Sequence, residues 1–205
     1  MFQVRVVTEP TEEPIDLADI KNRLRVDGDD TQDDALLQSM ITTARRMAEE
    51  HLGRAILTQT REALIELTAD HVRGSLSGEI GRRDSEFEIP FPRVQSITTV
   101  EIESNPGIWT IMTSDSYYSD IGAEPAKIWL KPFFWVNYNF FTSYVRYRPR
   151  MRITYITGWT SPNEVPEGVK EAIRQVIGSM YGSPEGHDYP TAAWDKAEMF
   201  RIRQF

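Results

Sequence analysis

Residues 15–57, IDLADIKNRLRVDGDDTQDDALLQSMITTARRMAEEHLGRAIL, decide the fold of this chain, because they read as two amphipathic helices joined by an acidic turn and leading into a strand. Asp16 precedes an apolar series, Leu17, Ile20 and Leu24, spaced for one helical face. Asp19 stands where a carboxylate meets the unpaired N–H groups of a first turn, so a short helix is expected over 17–26. The turn DGDDTQDD offers an N-cap at Asp30 or Thr31, and its carboxylates suit the positive end of the next helix. That helix is expected over 32–52. Leu36, Leu37, Met40, Ile41, Ala44, Met47 and Ala48 make its core stripe, Gln38, Thr42, Arg45, Arg46, Glu49 and Glu50 its polar back, and Gly53 its left-handed stop. No catalytic group lies in the stretch, so the function it suggests is assembly.

Beyond Gly53 the period changes from about 3.6 to two. LTQTREALIELT (57–68) alternates and is rich in β-formers, which predicts a strand. The glycine- and serine-containing stretch 69–85 interrupts the pattern as a loop or hairpin tip. EFEIPFPRVQSITTVEI (86–102) reads as a short strand, a proline-bracketed turn and a second strand. IWTIM, YYSDI and AKIWL are further short candidates, and MRITYITGW (151–159) closes the set. Helical spacing returns in SPNEVPEGVKEAIRQVIGSMYG, where Pro166 suits a first turn and Val169, Ile173, Val176, Ile177 and Met180 form a stripe that can pack against the 32–52 helix. The fold class is therefore α+β: a helical bundle (14–54 and 164–184), a small antiparallel β insertion (57–159) and a C-terminal extension (185–205), all in one domain of 205 residues. Leu37, Ile41, Ala44, Val169, Ile173 and Val176 are the expected core.

The chain is 40% hydrophobic, enough for one ordinary core, and its formal charge of −8 disfavours free DNA binding, which needs a cationic footprint. The absence of cysteine excludes disulfides and thiolate metal sites. The opening MFQVRVVTEPTEEP has no signal-peptide pattern, and no apolar run is long enough for a membrane anchor, so a soluble, cytoplasmically made protein is expected. His51, His71 and His187 fall in no metal-binding frame. GSLSG (74–78) has leucine where a nucleophile elbow needs serine. An EF-hand frame from Asp27 would need glycine and glutamate where Gln32 and Gln38 stand, so capping and solvation explain the acidic turn better. These readings point to no cofactor, no metal and no enzyme. A cell-wall hydrolase built on paired carboxylates and a nucleic-acid-binding module using the 146–152 arginines remain the alternatives.

Taken in order, LADIKNRLRVDGDD, the alanine- and arginine-rich helix ending LGRAILTQT, IPFPRVQSITTVEI, RITYITGW and VPEGVKEAIRQVIGSMYGSPEG resemble the head-to-tail connector (adaptor) family of tailed bacteriophages and gene transfer particles, over 14–184 with gaps. The resemblance implies a structural virion protein, assembled in the host bacterial cytoplasm. It implies a dodecameric ring of copies between the portal and a stopper or tail-completion protein, with DNA passing through the lumen without specific binding.

Two segments are candidates for contacts. The stretch 131–150 carries Phe133, Phe134, Trp135, Tyr138, Phe140 and Phe141 near arginines, residue types that fill sheet cores or protein interfaces and that also stack on nucleic-acid bases or meet a membrane surface. It is longer and more aromatic than the corresponding region of the family. The C-terminus carries Trp194, Phe200, Arg201, Arg203 and Phe205. Connectors of this kind commonly grip the portal with C-terminal extensions, so these five are the expected portal-binding residues, although Trp194 could equally pack within its own subunit. Truncation after Pro190 is expected to leave a folded subunit that no longer attaches to heads.

Overall fold

A computed structural model describes residues 2–67, 86–131, 150–182 and 192–202, and the chain divides into two units, Met1–Glu9 with Gln59–Thr157 and Pro10–Thr58 with Gly158–Phe205.

The helical unit begins with α1 (Leu17–Leu24), capped by the Asp16 carboxylate, which accepts the Asp19 N–H at 2.7 Å. It stops short of the expected 26 because Arg25 turns left-handed at φ 59°. Helix α2 (Asp34–Leu52) starts two residues later than expected and has no side-chain cap. The expected cap at Asp30 is used elsewhere: its carboxylate accepts the Gln32 N–H at 3.0 Å. The Asp33 carboxylate takes the Tyr181 hydroxyl at 2.8 Å. Gly53 ends α2 at φ 61°, as its lack of a Cβ permits.

The acidic turn between α1 and α2 carries its own cation. The Lys21 ammonium donates to the carbonyls of Asp30 at 2.7 Å and Gly28 at 3.3 Å and lies 2.5 Å from the Asp34 carboxylate. Lys21 is only 5% exposed, so its charge depends on these oxygens. Lys21→Met should cost about 3 kcal/mol, the usual scale for leaving one half of a buried pair without its partner, read as a lower melting temperature. A variant as stable as the parent would show that the clasp does not hold the turn.

Helix α3 (Glu167–Gly182) packs on α2 through the expected residues. Leu37, Ala44, Val169, Ile173 and Val176 are 0% exposed and Ile41 is 2% exposed. Two readings of α2 need correction. Leu36, assigned to the stripe, is 49% exposed, because the stripe narrows at the first turn of the helix. Arg45 and Glu49, assigned to the polar back, are buried. The Arg45 guanidinium meets Glu13 at 2.8 Å and Glu49 at 3.4 Å, while the Glu49 carboxylate accepts the Ile56 N–H at 3.0 Å. The segments flanking the helices therefore cover a face that periodicity alone assigns to water. Leu57 bridges Trp159 in parallel, and Gly158, at φ 112°, lies so close that an added Cβ would stand 2.2 Å from the Leu57 carbonyl oxygen.

The other unit is built from two antiparallel sheets. Its strands are β1 (Phe2–Thr8), β2 (Gln59–Glu66), β3 (Glu86–Glu88), β4 (Val94–Asn105), β5 (Ile108–Ile111), β6 (Tyr117–Asp120), β7 (Lys127–Leu130) and β8 (Arg150–Thr157). One sheet has the order β1-β2-β8-β4-β5, the other β3-β7-β6. Strand β1 was not expected: FQVRVVT alternates, but only its pairing with β2, Val4 opposite Ala63 and Arg5 opposite Glu62, marks it as a strand. Alternation sorts β8 cleanly, with Met151, Ile153, Tyr155 and Thr157 buried and the residues between them half-buried. The Tyr155 hydroxyl donates to the Pro90 carbonyl at 2.7 Å, and burial pushes its ionisation above the usual phenol range. The Thr157 hydroxyl holds the Phe91 carbonyl at 2.7 Å, so β8 braces the proline-bracketed turn.

Candidate assembly surfaces

The C-terminal segment is docked on the helical unit as far as it is described. Helix α4 (Ala192–Asp195) and the 3-10 turn Glu198–Phe200 replace the single longer helix that the sequence allowed. Ala193 and Ala197 are 0% exposed and Trp194 is 9% exposed, all three within the helical core. The Trp194 ring stacks on His51 with centroids 5.0 Å apart and planes at 17°.

Polar contacts continue the docking. His51 lies 3.3 Å from the Glu198 carboxylate, which also pairs with Arg201 at 3.2 Å. Arg54 donates to the Phe200 carbonyl at 3.1 Å, and the Ile202 N–H to the Leu52 carbonyl at 2.8 Å. Helix α3 comes close enough that a Cβ on Gly168 would stand 2.7 Å from the Lys196 carbonyl oxygen. Trp194 is therefore an internal anchor and not the exposed contact expected of it, because its indole fills the space beside α2. With it goes the expectation that truncation after Pro190 spares the fold. Phe200 is half-buried against the core, Arg201 is exposed, and neighbouring Met199 is 81% exposed. Arg203 and Phe205 lie outside the described residues, as do Phe133, Phe134, Trp135, Tyr138, Phe140 and Phe141.

Two acids of this unit are shifted by their partners. A hydrogen bond from Gln175, with help from Arg23, holds Glu171 below its usual range. Burial pushes Glu198 up, but hydrogen bonds from Arg201 and His51 leave it lowered overall. A lowered folded pKa stabilises the fold fully above the unfolded pKa of about 4.3, and the gain is lost as pH falls through the folded value. The melting temperature should therefore drop on acidification below about pH 4.3, and less steeply in Glu171→Gln. Identical pH profiles for the two proteins would contradict the assignment.

A second surface is the outer face of the five-stranded sheet. Arg5 pairs with Glu62 at 2.9 Å, Arg152 reaches Glu62 at 4.0 Å, and Arg152 forks onto Glu101 at 2.7 and 2.9 Å. Beside this row Arg150 forks onto Glu103, which is 0% exposed, at 2.6 and 2.8 Å. The Arg152 guanidinium lies 4.2 Å from the centroid of the Trp109 ring. Gln3, Arg5, Glu62, Leu64, Trp109 and Arg152 border an open hollow of about 670 Å³. Arginines that the nucleic-acid alternative would use, Arg150 and Arg152, are thus matched by carboxylates, which removes the net charge that phosphate binding requires. Sequence reasoning missed this row; its only local signal is the alternation of Arg and Glu with apolar residues, and the partners come from strand register.

Among the described residues no cluster of three or more His, Asp or Glu is placed to hold a metal ion. No helix among them is long and apolar enough to cross a membrane.

Residues 14–91 match the family described as Phage gp6-like head-tail connector protein. No curated protein sequence matches the chain. Among solved structures, the chain is similar to one in the neck of an empty gene transfer agent (GTA) particle computed with C6 symmetry, with TM-score 0.66 and 15% identity, covering 99% of this chain and 97% of that one. A chain of the native GTA virion gives TM-score 0.65 at 16% identity with the same coverage. The neck of the native GTA particle computed with C12 symmetry gives 0.64 at 15%, again over 99% and 97%. The chain thus resembles the phage head-tail connector family by sequence in residues 14–91, and over nearly its whole length it is similar in fold to chains of GTA particles.

Proposed function

We propose that the chain is a structural adaptor of a tailed phage or phage-like particle. Its copies form a ring between the portal and the stopper or tail-completion protein, and the ring continues the DNA channel. The observation that carries this reading is the likeness in fold to GTA neck chains over 99% of the chain, joined to the connector match in residues 14–91. A ring of twelve agrees with the C12 symmetry of one of those necks. The mechanism is adhesion without turnover, and the whole chain acts as one connector domain. Its charge of −8 lets DNA slide past without being held.

Portal contact falls to Phe200, Arg201, Arg203 and Phe205, with Met199 beside them. Trp194, Arg54 and the Leu52 carbonyl dock the segment that ends at Ile202 on the helical unit. Phe133, Phe134, Trp135, Tyr138, Phe140 and Phe141 are assigned to a second protein contact, with a neighbouring copy or a tail component. Assembly takes place in the bacterial host cytoplasm, and the mature site is the virion neck. Deleting the gene from the producing strain should leave heads without attached tails and abolish DNA delivery. Normal delivery by the deletion strain would overturn the reading.

A further inference from the structure

The turn that carries Met199, Phe200 and Arg201 is gripped at its main chain by a buried arginine. Arg54 follows the glycine that ends α2 and is 7% exposed. Taking a guanidinium out of water is costly unless its donors are used. Its Nε donates to the Phe200 carbonyl at 3.1 Å, and its guanidinium carbon lies 5.6 Å from the centroid of the Trp159 ring. One side chain thus joins the end of α2, the approach to α3 and the C-terminal segment. Resting on the adaptor reading above, we propose that Arg54 is a positioning residue for the portal contact: it fixes the backbone from which Met199 and Arg201 project, without touching the partner itself.

The backbone is pinned on both sides of Arg201. Before it, Arg54 holds the Phe200 carbonyl; after it, the Ile202 N–H donates to the Leu52 carbonyl at 2.8 Å. Gly53 stands so close that a Cβ would lie 3.0 Å from the Ile202 carbonyl oxygen. Upstream, the Phe200 N–H donates to the Ala197 carbonyl at 2.9 Å and the Arg201 N–H to that of Glu198 at 3.0 Å, while Ala197 itself is buried.

The side chains between these anchors face water. Met199 is 81% exposed, and the Arg201 side chain is exposed beside its partner Glu198. A large apolar residue and a cation held in one geometry lose little backbone freedom when a partner covers them, so more of the contact is realised as affinity. The partner surface that fits them has an apolar floor and a carboxylate rim. A leucine at position 54 could fill the same buried space, but it would leave the Phe200 carbonyl without this donor and the turn free to pivot.

The test is a double-mutant cycle on the full chain, read as binding to portal-bearing heads that lack it, at a temperature where circular dichroism shows every variant folded. Arg54→Met should weaken head binding about tenfold or more in the parent sequence, and less than about twofold in a chain that already carries Met199→Ala and Arg201→Ala. If Arg54→Met does not fold, Arg54→Lys, which keeps the charge and most of the stem but loses the Nε donor, takes its place with the same expected pattern. A residue that serves folding alone would cost the same factor in both backgrounds, and that result, or unchanged binding in the parent sequence, would overturn the proposal. Met199→Ala with Arg201→Ala binding as tightly as the parent would place the contact elsewhere and overturn the positioning role, leaving the adaptor reading standing. Failure of the parent chain to bind heads would sink the adaptor reading itself.

Discussion

Ile173→Asp should leave the helical unit unfolded under conditions where the parent chain is folded. Ile173 is 0% exposed and faces Ile41, Ala44 and the other apolar residues that α2 and α3 bury together. Removing an isoleucine from such a site costs about 2–5 kcal/mol, and a carboxylate without a partner adds several more. That total rivals the roughly 5–15 kcal/mol by which a domain of this size is stable. Far-UV circular dichroism should show lost helix, and Ile41→Asp should behave the same way. Leu36→Asp is the control: at 49% exposure it should change stability by no more than about 0.5 kcal/mol. A folded Ile173→Asp protein with a normal melting curve would refute the packing of α2 on α3.

Truncation of the C-terminus should divide sharply according to where the cut falls. Ending the chain after Thr191 removes Ala193, Trp194 and Ala197 from the core and strips the Trp194 stack from His51. It also removes the hydrogen bonds to Arg54 and to the Leu52 carbonyl. Loss of the buried tryptophan alone should cost about 3–5 kcal/mol, enough to lower the melting temperature by roughly 6–20 °C or to prevent folding. Ending the chain after Ile202 keeps every one of these contacts and should leave stability unchanged, while co-sedimentation with portal-bearing heads is lost. If the shorter chain melts like the parent, the segment is not part of the core. If the longer one still binds heads, the portal contact lies outside residues 203–205.

The helices were legible because their signals are local. A period near 3.6 placed Leu37, Ile41, Ala44, Val169, Ile173 and Val176 in the core, and Asp16 and Gly53 marked the two ends where a carboxylate or a left-handed turn was needed. Strand β8 announced itself in the same way by strict alternation. What stayed hidden depends on residues far apart in the chain. Arg45 and Glu49 look like a solvated i,i+4 pair until Glu13 and the Ile56 N–H arrive to bury them. Lys21 looks like a surface lysine until the acidic turn folds back over its ammonium. FQVRVVT at the start of the chain alternates but is marked as a strand only by its pairing with β2, and with it went the row Arg5, Glu62, Arg152, Glu101. Trp194 was balanced between anchor and core, and only the approach of His51 decides for the core. The connector resemblance came from the order of segments along the chain, which survives where each pattern alone is generic.

Electron microscopy of purified particles, with this chain located relative to the portal, tests the central claim most directly. The account predicts a closed ring of copies of the chain between the portal and the next neck component, with the C-terminal residues directed at the portal. Density for the chain in the capsid shell, the tail tube or the host fraction, and none beneath the portal, would contradict it.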